Sequence, residues 1–152
     1  MNFNFDLKTP PYLPGIQKRF DSHIFEMSEY VNCINLHTNN QNERAKLFWR
    51  QGVLCFNHEY FWETHELWEH AWNLNGRSSQ HGVFIQACIQ VAALCLKWKS
   101  HQTFSNELLK RANEKFEKYK HFHVFLEIEL TYFLEEIEYF KKEKKYPKIT
   151  IK

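Results

Sequence analysis

Residues 61–72 of the chain, FWETHELWEHAW, hold Glu63, Glu66 and Glu69, the imidazoles of His65 and His70, and three tryptophans. At about 100° per residue from His65, Glu69 falls at about 40°, Trp62 at about 60°, Trp72 at about 340°, Phe61 at about 320° and Trp68 at about 300°. His65 and Glu69 are thus expected inside an aromatic arc. Glu66, Glu59, His70 and Glu63 share the adjoining arc from about 100° to about 160°, the expected solvent side, with Glu66 nearest the aromatics. A carboxylate and an imidazole among aromatic side chains are costly to bury unless they pair, and their i,i+4 spacing lets them. That pair has a structural reading, ordering the helix contacts. It also has two chemical ones: a desolvated carboxyl with a raised pKa can move protons, and His65 and Glu69 can chelate one metal ion. His65, Glu66 and Glu69 are therefore the candidate catalytic residues, and His65 and Glu69 the candidate metal ligands.

The two histidines do not make a zinc-protease motif. They stand five apart, about 140° around a helix, and cannot hold one ion together. A metal at His65 and Glu69 needs further ligands, for which His58, His81 and His101 are the remaining candidates. One imidazole with oxygen donors suits Mg²⁺ or Mn²⁺ better than structural zinc.

A second helix, expected over residues 79–99, offers another wall. Gly82, Gln86, Gln90, Ala93 and Lys97 fall within about 80° of one another, and the rest of its surface is apolar. This stripe is either a thin solvent-facing edge or a polar face that sets Gln86 and Gln90 opposite His65 and Glu69. In the second case Glu63, Gln86 and Gln90, walled by Trp62 and Trp72, form a substrate pocket.

The runs CFNHEYFWETHELWEHAW and FIQACIQVAALCLK resemble the two signature segments of the prokaryotic domain of unknown function 309 family. Asn57, Glu63, His65, Glu66, Glu69 and Trp72 match the first and Gln86 and Gln90 the second. His58 stands where the family has glycine or a small residue, Trp62 replaces a phenylalanine, and His70 is outside the pattern. The resemblance covers residues 43–119, with weaker support to 140. It implies an all-helical bundle and carries the label of a metal-dependent hydrolase, with a divalent metal ion as the implied cofactor.

The remaining sequence agrees with that class. All four prolines (Pro10, Pro11, Pro14, Pro147) lie near the ends, leaving residues 15–146 without the strongest helix breaker. Spacing and caps predict an all-α, single-domain bundle of five to six helices over residues 16–36, 43–56, 59–74, from a cap at Ser78 or Ser79 to 99, from a cap at Thr103 or Ser105 to 119, and 123–145, the last being the longest, with no sheet. Residues 1–42 form an arm and helix outside the family match, 43–145 the bundle, and 146–152 a basic tail that reads as a solvated helix end.

A net charge of +2 gives no global reason to expect nucleic-acid or membrane-surface binding. Cys33, Cys55, Cys88 and Cys95 lack metal or disulfide spacing and read as reduced core thiols of a cytoplasmic protein. The apolar run 82–96 is too short to span a bilayer. The Phe-rich last helix serves either as core or as a homo-oligomer face. A non-catalytic interaction module, in which the His/Glu network is structural, is the alternative to an enzyme.

Overall fold

The computed structural model describes Leu7, residues 10–14 and residues 21–152. Six α-helices are present among them: α1 (Asp21–His37), α2 (Gln41–Asn57), α3 (Phe61–Asn75), α4 (Gln80–His101), α5 (Asn106–Phe116) and α6 (Leu130–Glu143). The fold is an all-α bundle. The expected start of the first helix at Ile16, its Phe20, the side chain of Ile24 and most of the extended arm lie outside the described residues.

Helix boundaries follow side-chain caps. Asn40 accepts from the Glu43 amide, Ser79 from Gly82 and Ser105 from Leu108, each satisfying one of the unpaired N–H groups at a helix start. Gly76, with φ 82°, closes α3 in a conformation that glycine takes without strain. In the turn between α2 and α3 the left-handed residue is Glu59 (φ 65°), while His58 stays at φ −98°.

The expectation of a single last helix over 123–145 is overturned. A 3₁₀ turn, Glu117–Tyr119, extends α5, and a two-stranded antiparallel hairpin follows, β1 (Val124–Phe125) and β2 (Ile128–Glu129). Among the described residues the longest helix is α4, at 22 residues. It exceeds its apolar run and is long and apolar enough to cross a membrane by length and composition. Its Phe84, Ile85, Cys88, Val91, Leu94 and Cys95 are nevertheless fully buried at the centre of the bundle, which is how a core helix passes the same test.

The basic tail is not a solvated end. The side chain of Asn57 holds it as a strand partner would: its Nδ2 donates to the Ile149 carbonyl (2.8 Å), and its Oδ1 accepts from the Ile149 amide (2.7 Å). Tyr146 packs on Phe61 and Phe140, and Ile149 is buried.

Candidate functional site

Helix α3 presents the polar residues, but its buried face is not the one the aromatic arc suggests. Phe61, Glu63, Thr64, Leu67, Trp68 and Ala71 are buried, so the core direction centres near Ala71 at about 240° from His65. Leu67, Ala71 and Thr64 fix that direction. His65 and Glu69 lie on the far side, and their side chains keep 30% and 44% of their exposure. The expected buried pair is thus a partly exposed one, with Nδ1 of His65 3.8 Å from a Glu69 carboxylate oxygen.

Glu66 is half-buried beside them, and burial followed by the Glu69 charge pushes its carboxyl up, against the pull of His65. One ligand atom from each of His65, Glu66 and Glu69 lies within 4.8 Å of the others. His58, His81 and His101 are outside this cluster. The Nδ1 of His58 faces the Leu54 carbonyl, while His81 meets Phe125 edge-on. His70 stacks on Phe48, and burial lowers its pKa against the pull of the Glu69 charge.

Glu63, expected toward solvent, is the buried carboxyl. Its exposure is 3%; one oxygen accepts from the Tyr12 amide at 3.2 Å, and the other has no hydrogen-bond partner among the described residues. Burial drives its pKa up to about 7, opposed by backbone hydrogen bonds, including that from Tyr12, and by the nearby Lys99 charge. Tyr12 also meets Trp62 edge-on at 5.0 Å, and the Tyr60 hydroxyl donates to the Leu7 carbonyl. The N-terminal strap therefore covers Glu63 and one side of Trp62. Tyr12 has no motif in the sequence; the only signal was an aromatic residue between prolines in PPYLP.

The glutamines of α4 do not complete the set. Gln90 accepts from Lys115 of α5 at 3.1 Å, and no hydrogen bond joins Gln86 or Gln90 to His65, Glu66 or Glu69 among the described residues. Trp72 is likewise engaged locally: its indole donates to the Arg77 carbonyl, and the Arg77 guanidinium lies 4.1 Å over its ring. The three buried thiols, Cys55, Cys88 and Cys95, are pushed up by burial and are not nucleophiles, whereas Cys33 is exposed.

What this arrangement offers is a row of carboxyl groups at three-residue spacing, Glu63, Glu66 and Glu69. It runs from full burial to solvent, with one imidazole at the open end. The segment that carries it, residues 49–105, matches the family model described as Domain of unknown function (DUF309). Over that segment the chain is similar to DUF309. The match begins at Trp49 in α2 and ends at Ser105, the N-cap of α5, a narrower span than the resemblance of the two motifs suggests. It therefore takes in α3 and α4 with every residue of the carboxyl row. No curated protein and no solved structure matches the chain.

Proposed function

We propose that this protein is a cytoplasmic divalent-cation-binding protein, with His65, Glu66 and Glu69 as ligands, and that it acts as a metal-assisted hydrolase. The observation that carries the reading is the convergence of one imidazole and two carboxylates within 4.8 Å on the open side of α3. The donor set fits a hard or borderline cation such as Mn²⁺ or Mg²⁺, and three protein ligands leave positions for water and substrate. A bound cation would supply Lewis-acid polarisation and an acidified water. The chain's own contribution is to orient His65 through Glu69 and to hold Glu66 half-desolvated, so that its charge favours a cation. Trp62 flanks the approach. Glu63 sits beneath the Tyr12 strap, outside the ligand cluster.

The test is calorimetric titration of Mn²⁺ into untagged, chelator-stripped protein, beside His65→Ala and Glu69→Gln. Both substitutions fall on partly exposed side chains, so the variants should stay folded by circular dichroism. One binding event per chain is expected, weakened tenfold or more in each variant. Failure to bind at millimolar Mn²⁺, Mg²⁺ or Zn²⁺ refutes the cation site and leaves either a metal-free acid/base site or the non-catalytic interaction module.

A further inference from the structure

A cavity that shares no residue with the carboxyl row opens where the first turns of α2 and α4 meet the end of α3 and the hairpin turn. Its volume is about 320 Å³, and it is lined by Asn42, Ala45, Lys46, Trp49, Asn75, His81, Ile85 and Leu126. Asn75 follows His65 by ten residues, about 15 Å further along α3. The floor is apolar: Ala45, Trp49 and Ile85 are buried core residues. The rim carries two carboxamides, one ammonium and one imidazole, and no carboxylate lines the cavity.

Lys46 forms no ion pair among the described residues. Glu127 lies near enough for Lys46 to stabilise its carboxylate, but it is taken up by two hydrogen bonds from Arg50. The positive ends of two helices add to the field, since Asn42 and His81 are each the second residue of their helix. An apolar floor with a few converging polar groups, at a volume of a few hundred Å³, is the usual form of a small-molecule site.

From this juxtaposition the geometry points to a binding site for a small anion with a flat apolar body, an aromatic carboxylate or phosphate monoester. Its body would lie on Trp49, Ile85 and Leu126, its charge at Lys46 and His81, and Asn42 and Asn75 would supply hydrogen bonds. The indole N–H of Trp49 donates to the Leu126 carbonyl (2.8 Å) and reports on occupancy because both residues line the cavity.

The experiment is a titration of ¹⁵N-labelled protein at low salt with benzoate, phenyl phosphate and the neutral benzyl alcohol, following the Trp49 indole resonance. At least one anion is expected to bind at about 1 mM or tighter, as suits a ligand of about ten heavy atoms. The tighter of the two identifies the head group. Lys46→Gln and His81→Gln, both at the rim, should each weaken binding five- to tenfold without changing the fold. Three results each overturn the proposal: no shift at Trp49 with either anion at 10 mM, equal binding of benzyl alcohol, or unchanged affinity in both variants.

Discussion

Glu63 is the residue on which burial and charge are most opposed. Its side chain loses a proton near pH 4.5 when solvated, but in the folded protein only at about pH 7. Between these values the native state binds more protons than the unfolded one, so stability falls as pH rises through this window and levels off above it. The separation corresponds to on the order of 3 kcal/mol at full ionisation. Glu63→Gln keeps an acceptor for the Tyr12 amide and removes the titration. In chelator, urea unfolding at pH 5, 6, 7 and 8 should show the variant gaining on the wild-type protein as pH rises. Glu66 and His70 titrate in both proteins, so the difference curve isolates Glu63. A pH-independent difference would show that Glu63 is not titrating in the window. The sequence identified this carboxyl as part of the polar set but put it on the solvent side. Tryptophans and Phe61 dominated the helical projection, whereas the core was set by Leu67, Ala71 and Thr64. Thr64 hides its hydroxyl by donating to the Tyr60 carbonyl at 2.8 Å, so a polar residue occupies a core position.

Between elements, the contact that sets the position of α3 is made at Gly52 of α2. The Trp68 indole lies over this glycine, so that a Cβ there would overlap its Nε1 and Cδ1 atoms. Trp68 is held by donation to the Trp49 carbonyl at 3.1 Å and by stacking on Trp49 and Phe56. Gly52→Ala gains about 1 kcal/mol of helix propensity but must displace that ring at a cost of about 3, so we expect a net loss of about 2 kcal/mol. It should appear as a lower urea midpoint at unchanged slope; a variant as stable as the parent would mean that α2 and α3 can slide apart freely. Such close approach is invisible in a one-dimensional pattern. Capping was visible to within a residue or two: Ser79 caps α4 and Ser105 caps α5, each one of the two caps the sequence offers there. The hairpin was not. Its two-residue turn takes positive φ at both Leu126 (47°) and Glu127 (67°), the form normally marked by Asn-Gly or Asp-Gly. Tertiary partners impose it instead, through the Trp49 bond to the Leu126 carbonyl and the Arg50 pair with Glu127.

Across the whole molecule, the aromatic richness of the sequence, 17% of residues, becomes a chain of ring contacts that closes on the C-terminal segment. Phe56 and Phe116 meet Phe133 of α6, Phe104 meets Phe140, and Tyr146 lies between Phe140 and Phe61 at the start of α3. Beyond it the tail adds Ile149 to the core, takes both hydrogen bonds of Asn57, and pairs with the hairpin through the Glu129 amide bond to Thr150 and the Lys152 amide bond to Glu127. Lys148 donates to the Asn57 carbonyl at 2.7 Å. The lysines that made this segment read as a solvated end are thus carried by an extended segment that bridges α2, α3 and the hairpin. Removing residues 146–152 should cost about 4–6 kcal/mol, chiefly from Tyr146, Ile149 and the orphaned Asn57 amide, against a total of roughly 5–15 for a domain. Thermal unfolding of the shortened chain should then begin about 15 °C lower. Neutralising the tail by Lys148→Gln and Lys152→Gln in the full-length chain should cost about 1 kcal/mol or less apiece, because exposed pairs contribute little. If truncation leaves Tm where it was, the tail is a passive appendage; if the charge changes cost as much as truncation, ion pairing rather than packing fastens it.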